Sequence, residues 1–188
     1  MKNAVHAVIF GALISFSCAT FAQIGPSYTP GVDPKKKSPY SELEAIHLSH
    51  GKNQRTDVKR MFLDIGHRLH TDKSDLPVMQ RILRLRKIQR TDVASQQALG
   101  LVFGDILAKE LDLDWVIYQD DEATCKKKGL RYESCKSRAL RYKDSNIVIF
   151  PVTMISRRYK AGIDVDVVSL HNKIVKNTQF LIDRERGF

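Results

Sequence analysis

The sequence predicts an α+β fold: N-terminal helices, then a three-stranded antiparallel meander, then a closing C-terminal helix. Three observations carry this. Apolar residues recur at spacings of three and four from Ser41 to Leu111, the period becomes extended after Asp112, and helical spacing returns after Asp164. Three consecutive strands favour antiparallel pairing with the helices on one face.

Ser41 is placed as the cap of a first short helix, with Glu44 as its capping-box partner and Gly51 as its stop. Leu43, Ala45, Ile46 and Leu48 are its apolar positions. A second helix begins near Thr56-Asp57 and carries the stripe Val58, Met61, Phe62, Ile65 and Leu69. Ser74 is placed as the cap of a third, with Pro77 in the first turn, and this helix carries Arg81, Arg84, Arg86, Lys87 and Arg90. Asp92 opens the strongest helix, through about Leu111, with a wide apolar face. Gly100 and Gly104 on it suit close packing of another element. Strands follow at Trp115–Tyr118, at Ala139–Tyr142 and from Asn146 to Ile155, the last interrupted by Pro151 as a bulge, edge or break. Asp164 or Asp166 caps the closing helix, whose Val167, Val168, Leu170, Ile174 and Val175 face the core.

Residues 1–22 read as a secretory signal: Lys2, an apolar run from Ala4 to Phe16, then small residues up to Ala22. Thr20-Phe21-Ala22 places cleavage after Ala22. The run is short of the ~20 apolar residues that cross a bilayer. A lipoprotein box ending at Cys18 competes, with Ser15 in place of the usual leucine. Residues 23–40, with Gly25, Pro26, Pro30, Gly31, Pro34, the Lys35–Lys37 run and Pro39, read as a flexible tether. Residues 41–188 then form one α+β domain, helical over 41–90 and mixed over 91–188. The expected location is the periplasm, with no membrane span after cleavage.

The whole chain has a formal charge of +10, and cleavage removes Lys2 but no acidic residue. This balance favours an anionic partner, such as an acidic protein face, an envelope polymer or a lipid surface. Nucleic acid is not expected in that compartment. Cys125 and Cys135 outlast cleavage, and a pair in an oxidising compartment is most simply a disulfide.

Several stretches share a further likeness: Ala98-Leu99-Gly100-Leu101-Val102-Phe103-Gly104, Trp115, the run from Ile149 to Arg158, and Asp166-Val167-Val168-Ser169-Leu170. With these the segment 98–175 resembles a bacterial family known only as domain of unknown function 3806. The resemblance implies a compact domain and carries no catalytic residue across. The connection from Asp121 to Lys136 reads as an elaboration of a shorter family turn.

Candidate chemistry is scattered. Glu44 and Asp64 each precede a histidine by three, at His47 and His67, with His50 and His70 three further on. Carboxylate-x-x-His on two helices is a di-iron bundle pattern. The competing reading places both histidine pairs in last helical turns, where imidazoles meet free carbonyls, and no metal or cofactor is assigned. Asp112, Asp114, Asp120, Asp121 and Glu122 bracket the first strand without the spacing of a calcium loop. Arg81, Arg84, Arg86, Arg157 and Arg158 are the candidate binding residues, as parts of two basic patches. No His-Glu-x-x-His, Gly-x-Ser-x-Gly, Walker loop or dinucleotide fingerprint is present. The expectation is therefore a non-catalytic exported protein that binds a protein partner, one version being an immunity or inhibitor protein against an envelope-acting toxin. The alternatives are an envelope hydrolase built on scattered His and Asp, and a binder of anionic polymer or lipid.

Overall fold

The computed structural model describes residues 38–187 together with the strand Ser27–Tyr28. The signal segment 1–22, Cys18, the cleavage position and most of the expected tether lie outside the described residues. Two strands fall within the stretch read as a tether, β1 (Ser27–Tyr28) and the start of β2 (Tyr40–Ser41).

The N-terminal helical region differs from expectation. One helix, α1 (Ala45–Leu63), replaces the two expected. Ser41 belongs to β2, and Glu44 takes the capping role. Its side chain accepts from the backbone of His47, and His47 Nδ1 accepts the Glu44 backbone N–H at 3.2 Å. Gly51 does not stop the helix, because a glycine packed inside a helix keeps its backbone bonds. It is buried beside Leu101, where a Cβ would come within 3.7 Å of Leu101 Cδ2. The face α1 buries runs through Gly51, Gln54, Val58 and Phe62, leaving Ile46 and Leu48 exposed.

A short 3-10 turn (Lys73–Asp75) leads into α2 (Leu76–Arg84), with Pro77 in the first turn and Asp72, not Ser74, capping the entry. Helix α2 stops early because Arg86 adopts a left-handed backbone, φ 52°, which puts Lys87 and Arg90 in the following loop. That loop is pinned from two sides: Tyr159 donates its hydroxyl to Ile88 O at 2.9 Å, and Gln96 Nε2 donates to Gln89 O and Arg90 O. Asp92 caps α3 (Val93–Leu111) by accepting from Ser95 N at 3.0 Å.

After β3 (Asp114–Gln119) come a short helix α4 (Glu122–Lys127), a 3-10 turn (Tyr132–Ser134), β4 (Lys136–Arg141) and β5 (Ile147–Ile149). The third expected strand is thus mostly helix: α5 (Pro151–Lys160) begins at Pro151. Proline supplies a fixed φ and lacks an N–H that a first helical turn would leave unpaired. Val152, Ile155, Ser156 and Tyr159 then bury one face at spacings of three and four. Arg157 and Arg158 therefore sit on a helix, not at a strand end. Asp166 caps α6 (Val167–Glu185) by accepting from Ser169 N at 2.9 Å.

The sheet is antiparallel in the order β1-β5-β4-β3-β2, so the expected meander is its centre and the two dipeptide strands flank it. Strand alternation separates its two sides. Leu140, Tyr142, Ile147 and Ile149 join side chains of α1, α2, α3, α5 and α6 in the apolar core, with Trp115 packed against it. Register puts Tyr40, Tyr118, Ser137 and Val148 on the other side. Helix α3 approaches α5 closely at its two glycines. A Cβ on Gly100 would stand 2.5 Å from Val152 O, and one on Gly104 would stand 2.6 Å from Pro151 Cγ.

Candidate functional site

A cleft of about 410 Å³ opens on the side of the sheet away from the helical core. Tyr40, Tyr118, Ser137 and Val148 come from the strands, Phe150, Thr153 and Arg157 from the β5–α5 junction and α5, and Asp120 and Lys128 from the connection after β3. Its aromatic wall is continuous. Tyr118 stands between Tyr40, with ring centroids 5.6 Å apart, and Phe150, edge-on at 5.3 Å. Arg141 holds Tyr40 from beneath, its guanidinium 4.1 Å from the ring centre.

Charge in the cleft is uneven. Asp120 is engaged by Lys128, Oδ2 to Nζ at 2.6 Å. Arg157 is exposed, and among the described residues no carboxylate pairs with it. Burial, reinforced by the Asp120 carboxylate and weaker influences from Tyr40 and Asp121, raises the Tyr118 phenol above its ordinary pKa. Tyr118 therefore stays protonated and can donate a hydrogen bond. Two aromatic hydroxyls, two aliphatic hydroxyls and an uncompensated guanidinium suit an oxygen-rich, acidic ligand segment with apolar surface.

Cys125 and Cys135 form a disulfide with Cα atoms 5.8 Å apart, both side chains buried. It ties α4 to the start of β4 and brings Cys135 Sγ to 3.6 Å from Asp120 Oδ2. Lys128 lies inside the closed loop, so the bridge braces one wall of the cleft. Replacing both cysteines with serine is expected to lower stability by about 2.5–3 kcal/mol on chain-entropy grounds. Denaturant unfolding of oxidised, reduced and double-serine protein measures this, and equal midpoints for all three would refute it.

The other candidate residues disperse. Of the five arginines, only Arg157 lines the cleft. Arg158 turns back along α5, Nη1 donating to Met154 O at 2.8 Å, and burial followed by the charge of Arg157 lowers its pKa. Arg81, Arg84 and Arg86 are exposed at the C-terminal end of α2, with Arg81 Nη1 3.4 Å from His67 Nε2. The histidine pairs are not in last turns: His47 is part of the N-terminal cap of α1, and His67 and His70 follow its end. Among the described residues no three His, Cys, Asp or Glu side chains are grouped to hold a metal.

The carboxylates around β3 are split between its two ends, roughly 17 Å apart at about 3.4 Å per residue. Asp112 closes α3 in a left-handed conformation, φ 54°, and Asp121 caps α4 by accepting from Thr124 N. Asp75, unremarked in the sequence, is buried and accepts the backbone N–H groups of His70 and Thr71 at 3.0 and 2.6 Å, a structural role. The cleft's aromatic residues carry no sequence signal, since they come together only through the sheet register.

Among the described residues no helix is long and apolar enough to cross a membrane. No curated protein matches the chain. A solved crystal structure from Bacteroides thetaiotaomicron VPI-5482 shares the fold at TM-score 0.59 and 16% identity, over 76% of this chain and 49% of that one. This chain thus spans about half the length of that relative. A family profile matches residues 75–171, starting upstream of the segment 98–175 and taking in α2 and every lining residue of the cleft but Tyr40. The chain belongs to that family, Domain of unknown function (DUF3806).

Proposed function

We propose that the protein is an exported, non-catalytic binding protein that holds an acidic segment of an envelope protein in the aromatic cleft. The observation that carries this reading is Arg157, exposed beside the Tyr40–Tyr118–Phe150 wall and, among the described residues, without a carboxylate partner. A bare guanidinium beside aromatic rings recognises a carboxylate with apolar neighbours. The exported half of the reading rests on the signal-like composition of residues 1–22 and on the paired cysteines. An immunity or inhibitor protein for an envelope-acting toxin is one concrete form.

Capture from envelope extract with the chain beginning at Gln23 tests this. One reproducible protein partner is expected. Capture of nothing reproducible counts against the reading, and binding to anionic polymer or vesicles that weakens steeply with salt points to a surface instead.

A further inference from the structure

A polar island lies on the helical side of the sheet, between α1, α3 and the β3–β4 pair. Asp105 on α3 accepts from Arg55 Nε and Nη2, each at 2.7 Å, and from the Trp115 indole N–H at 2.9 Å. Arg138 on β4 enters the same island, its Nη2 donating to Gln54 Oε1. Among the described residues Asp105 pairs with Arg55, and no carboxylate pairs with Arg138. Two guanidiniums therefore face one carboxylate.

The groups left over converge. A Cβ on Gly51 would stand 3.1 Å from Arg55 Nη1 and 3.4 Å from Arg138 Nη1. Both nitrogens therefore approach one point and are no farther apart than the sum of those lengths. The missing side chain at Gly51 leaves room for this approach. Burial, then the charge of Arg55, hold Arg138 below the usual arginine range, while Asp105 acts in the opposite sense. A like-charge pair at this spacing is relieved by an anion that bridges it.

We propose that Arg55 and Arg138 form an oxyanion site at Gly51, taking a phosphate or carboxylate group between their Nη1 groups, which bond to no described residue. Each Nη1 would donate a charge-assisted hydrogen bond to an oxygen of the anion. The site is separate from the cleft. Ser137 lines the cleft and Arg138 follows it on the same strand, so the two side chains leave opposite faces of the sheet. Failure at one site therefore leaves the other standing. Arg138 lies inside the family segment, whereas Gly51 and Arg55 precede it.

Trp115 is the chain's single tryptophan and is bonded to the carboxylate that holds Arg55, so its fluorescence reports on the island. The chain from Gln23 is titrated with inorganic phosphate and separately with succinate, at ionic strength fixed with sodium chloride. A saturable change is expected for at least one of them, and the tighter names the chemistry. Arg138→Lys keeps the charge but loses the rigid Nη1 donor aimed at Gly51, and is expected to weaken binding about tenfold or more, whereas Lys176→Gln on α6 leaves it unchanged. In unaltered protein, the bound anion should protect Arg55 and Arg138 from modification by phenylglyoxal. An unsaturable response to both anions overturns the proposal. So does unchanged binding by Arg138→Lys, or, if that variant does not fold, absence of protection in the unaltered protein.

Discussion

Gly100→Ala is expected to destabilise the protein by about 1–3 kcal/mol, although the same change in an open helix would stabilise it by up to about 1 kcal/mol. The contact decides the sign. The new Cβ would meet Val152 O at 2.5 Å and Pro151 O at 2.9 Å. Both are backbone atoms in the first turn of α5, so no side chain can rotate away. Relief requires α5 to move off α3, and α5 carries Thr153 and Arg157 into the cleft. Urea unfolding should therefore show a lower midpoint, with weakened partner binding under conditions where the variant remains folded. A neutral or stabilising result would mean that the two helices separate freely, contrary to the packing described.

Asp105→Ala is expected to cost about 2–3 kcal/mol, more than most single surface changes. Asp105 is 12% exposed and accepts three hydrogen bonds, two from Arg55 and one from Trp115. Its removal leaves a partly buried guanidinium and an indole N–H without their partner. The figure sits below that of a fully buried ion pair because the Arg55 side chain is 42% exposed and water can compensate part of the loss. Asp105→Asn keeps an acceptor and should fall between the two. Chemical unfolding followed by Trp115 emission measures both, and a loss below about 0.5 kcal/mol for alanine would show that water replaces the carboxylate fully.

The closing elements were legible where a cap and a periodic stripe agree. Asp92, and Asp166 of the two caps expected for the closing helix, each precede a long apolar face and each open a helix. The Cys125–Cys135 bridge was legible from the number of cysteines and the compartment expected from residues 1–22. Two of the departures from expectation, at Gly51 and Pro151, share a cause: one residue type serves two structural purposes. Gly51 looks like a helix stop, yet its small size is used for packing within α1. Pro151 divides one apolar run, and no local feature of Val152–Ile155 distinguishes a buried strand from a helix with a buried face. Of the cleft's lining, Arg157 and Asp120 were legible as candidates. Tyr40, Tyr118 and Phe150 lie on separate elements, and their meeting depends on the pairing of Tyr40 with Tyr118 and on where β5 ends.

The proposed role of the cleft is to hold an acidic partner through Arg157. The direct measurement is the dissociation constant for the protein captured from envelope extract, compared at fixed salt between the unaltered chain and Arg157→Glu. Reversing a charge that no described carboxylate offsets should weaken binding to an acidic partner by at least about tenfold, a loss of about 1.4 kcal/mol or more. Equal affinity for the two proteins, with both folded, would place the partner elsewhere and remove Arg157 from its recognition.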